Sequence, residues 1–227
     1  KIEDKINNHF NKSFTRYYDE SGLLIINDED KHFIVNVKKG GAFRIYDKKR
    51  NKTFSDSGVL AASNSRWYTS GWLSEKGEHS ISDNMITIKG NMWKVPDKAL
   101  TTGRYILLRL FQITLGRSGF ISLWMKERLR DILITKTKPS EMTYTRVITL
   151  KKDAVDLLHI MDSIISRKHG ISGISVFAKD TQIYVPSSRY YTGIKDPGIQ
   201  KYFSPPVSKV RVEWKIGEDA AKEITAE

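Results

Sequence analysis

Cysteine is absent from the 227-residue chain, so neither a disulfide nor a thiolate-held metal can support the fold and packing alone must hold it. That absence names no compartment. Long apolar runs are missing too: nothing approaches the roughly 20 consecutive apolar residues of a membrane span, and the run at 105–108 is soon broken by Arg109 and Gln112. The charged and amidic residues 1–8 lack the apolar segment of a secretory signal. Phosphate-cradling glycine loops, a dinucleotide glycine fingerprint, a nucleophile elbow and a metal-binding histidine pair are all lacking. Acidic residues are outnumbered, 26 against 38 Lys and Arg, which leaves a net charge of +12.

What is present supports a sizeable core. Hydrophobic residues make up 39% of the chain and aromatics 11%, enough to exclude disorder throughout. Short β-favouring runs alternate with polar turns. Residues 23–26 and 33–37 form one expected hairpin, 42–46 and 53–54 continue the meander, and 80–81 with 85–88 flank Asp83-Asn84 as a second hairpin. Residues 104–115, apolar on both faces, read as a central buried strand, and 195–206 as a flexible connection. Near the end, Val210, Val212, Trp214 and Ile216 alternate with Arg211, Glu213 and Lys215, giving one apolar and one wet face. The expected fold is mainly β, an antiparallel β-sandwich with one short helix at about 120–134, where Ile121, Met125, Leu129, Ile132 and Leu133 recur at helical spacing; two strands joined through the charged middle are the competing reading there. The expected organisation is an extension or linker at 1–20, a single domain at 21–216 and a polar tail at 217–227. The non-Met start and the Ala/Glu-rich end read as those of a fragment of a larger protein.

Catalytic candidates are thin. Gly40-Gly41 reads as a turn, because no Lys-Ser or Lys-Thr pair follows at the distance a phosphate cradle requires and no helix opens there. His9, His32, His79, His159 and His169 are isolated, so no metal site and no cofactor is expected. Asp56, Asp162 and Asp180 read as lone carboxylates that bond the backbone at turns. Two constellations suit binding instead: Arg66 with Trp67, Tyr68, Trp72 and Trp93, and Arg189 with Tyr190 and Tyr191 beyond Val185-Pro186. Aromatic faces stack on sugar rings while arginine pairs with carboxylate or sulfate, chemistry that fits an acidic glycan. The alternative is that these aromatics fill the core and the arginines lie along its rim.

The run 39–47 followed by Asp56-Ser57-Gly58, and 125–134 leading into 146–150 and 162–164, resembles the β-sandwich domain of heparinase II/III-like polysaccharide lyases over about residues 20–190. The resemblance rests on small-residue and strand spacing. It implies a β domain whose partner is a helical toroid, absent from this chain, and it carries over no catalytic His or Tyr. The expected function is therefore a noncatalytic domain of a carbohydrate-related protein that contacts an acidic polysaccharide. A self-sufficient lyase-like enzyme is the first alternative. A basic nucleic-acid-binding protein is the second, disfavoured because no recognition motif accompanies the charge.

Overall fold

The computed structural model describes residues 12–74, 76–95, 139–151, 157–176, 199–216 and 225–226, with isolated positions 106, 109, 110 and 113. The strands run β1 (Phe14–Tyr18), β2 (Leu23–Asn27), β3 (Lys31–Asn36), β4 (Ala42–Asp47), β5 (Lys52–Asp56), β6 (Leu60–Ser63), β7 (Arg66–Thr69) and β8 (Glu78–Ile81). They continue as β9 (Met85–Lys94), β10 (Pro139–Leu150), β11 (Leu158–Ser166), β12 (Ile171–Val176), β13 (Ile199–Val207), β14 (Lys209–Ile216) and β15 (Thr225–Ala226). Strands β1 to β5 form a five-stranded meander, and a ten-stranded sheet has the order β13-β12-β6-β7-β9-β10-β11-β14-β15, with β8 on the first half of β9. Every pairing among the described residues is antiparallel. The molecule is mainly β, with two packed sheets.

The period-2 pattern decides which side chains face inward. Phe33, Val35, Phe43, Ile45 and Phe54 of the small sheet share one core with Ile86, Ile88, Ile148, Ile160, Val212 and Trp214 of the large one. Phe43 stacks on Trp214 across the interface, centroids 6.2 Å apart and planes inclined by 26°. Gly40 and Gly41 both take left-handed φ, 61° and 71°, so the sequence-expected turn is present. Gly40 also lets two chain segments touch, since a Cβ there would lie 2.1 Å from the Ser70 carbonyl oxygen.

Arg146 on β10 lies fully buried where the sheets meet. Its Nε and Nη2 donate to the two oxygens of Asp162 at 2.6 and 2.9 Å, and Asp162 is its directly opposite residue on β11. Its Nη1 crosses to the small sheet, donating to Asp56 Oδ2 at 2.5 Å and to the Gly41 carbonyl at 3.2 Å. Trp214 Nε1 donates to Asp162 Oδ2 at 3.0 Å, while Gly58 N donates to Asp56 Oδ2 at 3.0 Å. Asp56 and Asp162 are thus partners of one guanidinium rather than isolated turn carboxylates, because folding joins strands that lie far apart in the chain. Burial lowers the tendency of Arg146 to hold its proton, but Asp162 and Asp56 outweigh that and hold its pKa above the ordinary value.

Three sequence expectations change. Ile106, Arg109, Leu110 and Ile113, inside the expected buried strand at 104–115, are helical and exposed; apolar residues at 106, 110 and 113 also fit a 3.6-residue period, which an all-apolar run conceals. Residues 199–206, inside the expected flexible connection, belong to β13, which tolerates Pro205-Pro206 because it is a sheet edge. Strands β1 and β15 lie in the stretches expected to be an extension and a tail. The expected helix at 120–134 and Asp180 lie outside the described residues.

Arg146→Met should cost about 3–5 kcal/mol in urea unfolding, because two buried carboxylates lose their cation. Asp56 supplies a pH signature: burial pushes its carboxyl up from 3.8, more than Arg146 pulls it down. The folded state then holds this proton more tightly than the unfolded chain, so the contribution is full below about pH 3.8 and fades as pH rises through the folded value. Unfolding curves at several pH values should show Asp56→Asn gaining on the parent protein as pH increases.

Candidate polyanion-binding face

The strands that bury Arg146 present a different chemistry on their other side. Residue pairings across β9, β10, β11 and β14 align Lys89, Thr145, Ser163 and Arg211 in one row. The neighbouring rows are Asn91, Thr143, Ile165, Lys209 and Thr87, Val147, Met161, Glu213, and beyond the latter come Met85, Thr149, His159, Lys215. Thr143, Thr145, Thr149 and Ser163 are half-buried, whereas Lys89, Lys209, Arg211 and Lys215 are exposed. Adjacent strands lie about 4.8 Å apart, which puts Lys89 and Arg211 roughly 14 Å from each other across a floor of hydroxyls. Each hydroxyl both donates and accepts, so this floor can meet a hydroxylated ligand without rearranging charge.

One end of the face is strongly cationic. The turn at residues 167–170 carries exposed Arg167, Lys168 and His169, and it lies beside Ser208, whose carbonyl accepts from Ser166 N at 2.9 Å. An open groove of about 470 Å³ is lined by Val207, Ser208, Lys209 and Arg211. Two acids temper this end: Arg211 Nη2 reaches Glu213 Oε1 at 3.0 Å, and Lys168 pairs with Glu141. Lys89 and Lys209 enter no ion pair among the described residues, although exposed Glu78 on β8 stands directly opposite Lys89 and extends its row.

Of the sequence-expected binding residues, Arg66, Trp67 and Trp72 are described, on or beside β7. Arg66 and Trp67 are successive residues of β7 and therefore project from opposite faces of the sheet. Trp67 packs with buried Leu60 and Val95 in a small second core, while Arg66 is exposed. Trp93, paired with Thr69 across β9 and β7, keeps its Nε1 buried without a hydrogen-bond partner. Trp72 is half-buried in the loop after β7. The structure thus does not gather Arg66 and Trp67 around one ligand. Arg189, Tyr190 and Tyr191 lie outside the described residues. The alternation in 210–216 signals the cationic face in the sequence, but the threonine floor bears no aromatic and carries no local signal.

Among the described residues, no group of three or more His, Asp or Glu side chains could hold a metal ion. Described histidines instead serve pairwise contacts: His79 Nε2 lies 2.8 Å from Tyr17 Oη, and His32 Nδ1 lies 3.0 Å from Asn27 Oδ1. No helix among the described residues is long and apolar enough to cross a membrane. No protein-family model, no curated protein and no solved structure matches the chain.

The placement of β7 makes a direct prediction. Trp67→Ala should destabilise the protein by about 2–4 kcal/mol by opening the small core, whereas Arg66→Ala should stay within about 0.5 kcal/mol. Thermal unfolding of the two variants checks both.

Proposed function

We propose that this chain is a noncatalytic β domain that binds an acidic polysaccharide along the outer face of its large sheet. The observation that carries the reading is the row Lys89, Thr145, Ser163, Arg211, which alternates cationic ends with a hydroxyl floor and continues toward the groove at Lys209. Lysine and arginine meet uronate or sulfate groups, while threonine and serine exchange hydrogen bonds with ring hydroxyls. A polyanion bound this way gains local concentration from the +12 chain charge and binds less tightly as salt rises. The segments that resemble heparinase II/III-like sandwiches supply Gly41, Asp56, Arg146 and Asp162, which meet in the buried cluster behind this face. On this reading the spacing that carries the resemblance serves the scaffold, and the carbohydrate contact belongs to the opposite side of the same strands.

The test is retention on uronate-rich and sulfated polymers, with a neutral glucan as control. Lys89→Gln combined with Arg211→Gln should weaken binding about tenfold or more and reduce its salt dependence, with the unfolding midpoint unchanged. Equal binding to the neutral glucan, or unchanged retention of the double variant, would reject the reading. Release of unsaturated ends from a uronate polymer by the isolated chain would replace it with a lyase.

A further inference from the structure

The inward face of the small sheet serves the core, and its outward face carries cations around an apolar centre. Register across β1 to β5 aligns Arg16, Ile25, Ile34, Arg44 and Ser55 in the central row of that outward face. Two exposed arginines thus bracket two half-buried isoleucines, and strands about 4.8 Å apart put Arg16 and Arg44 roughly 14 Å from each other. Half-buried Leu23 and exposed Tyr18 extend the apolar area on one side of this row, and exposed Phe14 on the other. No Asp or Glu stands in the three rows of the face; the exposed acids Asp19 and Glu20 lie in the turn beyond Tyr18. Arg16 is steadied by Tyr18, since its Nη1 donates to the Tyr18 hydroxyl at 3.3 Å and its Cζ lies 5.6 Å from the ring centroid. Arg44 enters no ion pair among the described residues.

We propose that this face docks an amphipathic helix of a partner protein, its apolar stripe seated on Leu23, Ile25 and Ile34 and its flanks carrying Asp or Glu toward Arg16 and Arg44. A helix about 10–12 Å across, laid along β2 and β3, fits between arginines roughly 14 Å apart and brings both its flanks within reach of a guanidinium. A helix also satisfies its own backbone, whereas an extended peptide lying on these side chains would give up bonds to water and receive none in exchange. Charge selects the partner's sign: a face with two arginines and no acid, on a chain of net charge +12, attracts an acidic segment and repels a basic one. A second copy fits poorly, because the same face turned on itself would set arginine against arginine. The area agrees, since five strands and three rows offer on the order of 400 Å², about half of what each partner of a stable complex buries. The inference stands apart from the polysaccharide reading, because the core separates this face from the outer face of the large sheet.

Fluorescence anisotropy of the full chain tests this with a labelled designed helical peptide that carries Leu at every third or fourth position and Glu on both flanks of that stripe. Two control peptides replace its Glu by Lys and its Leu by Ala. The Leu/Glu peptide should bind the parent protein in the micromolar range, at least tenfold more tightly than either control. Arg44→Glu should weaken that binding at least tenfold, yet keep the parent's unfolding midpoint and its retention on acidic polysaccharide. Ile34→Thr, which keeps a β-branched side chain in the strand, should weaken it at least threefold. Absent binding of the Leu/Glu peptide, equal binding of either control, or undiminished binding by Arg44→Glu would overturn the proposal. So would loss of polysaccharide retention in Arg44→Glu, which would put the polyanion on this face, and self-association of the parent in sedimentation velocity that Arg44→Glu abolishes, which would put a second copy there.

Discussion

A single guanidinium joins the two sheets, and its geometry decides what the strands around it can do. Arg146 offers a fork to Asp162 on the neighbouring strand and a remaining donor to Asp56 across the interface. With both carboxylates ionised the cluster would carry one excess negative charge, and Asp56 Oδ1 is buried without a hydrogen-bond partner. Desolvation penalises that state, which is why the Asp56 carboxyl is pushed up. A buried ion pair of this kind contributes little net stability compared with a well-packed apolar replacement of the whole set. Its effect is on register. A slip of one residue along β10 would turn Arg146 to solvent and leave Asp162 buried without a cation.

The same constraint orders the outer face. Because Arg146 and Asp162 point inward, the adjacent Thr145 and Ser163 must point outward, and their pairing is fixed by the same register. The hydroxyl floor therefore inherits its spacing from the buried cluster. The cations at its ends, Lys89 and Arg211, occupy strands that flank β10 and β11. A binding face built on paired strands is held more rigidly than one built on loops, so little ordering opposes ligand capture.

Local patterns made much of this legible, and long-range pairing hid the rest. The hairpin joining β2 to β3 and the one joining β8 to β9 followed from polar turns between β-favouring runs. The wet face of β14 followed from strict alternation between Val210 and Ile216. Asp56, Arg146 and Asp162 stand 90 and 16 residues apart along the chain, and nothing local marks them as partners. Arg66 and Trp67 are a different case: the period of a strand already places neighbours on opposite faces, so their separation was readable where composition alone suggested a cluster. Pro205-Pro206 misled because proline argues against a central strand but not against an edge.

The connection between β9 and β10 shows how such a scaffold can accept a long insertion. Paired residues Trp93 and Pro139 bring the ends of the insertion together whatever its length, and the entropy of closing a loop grows only logarithmically with the residues it contains. The sheet therefore accepts a long insertion at this point with little change to the register that Arg146 sets. Residues outside the sheet are also released from period-2 patterning, so an apolar run can follow the helical period instead, as Ile106, Leu110 and Ile113 do.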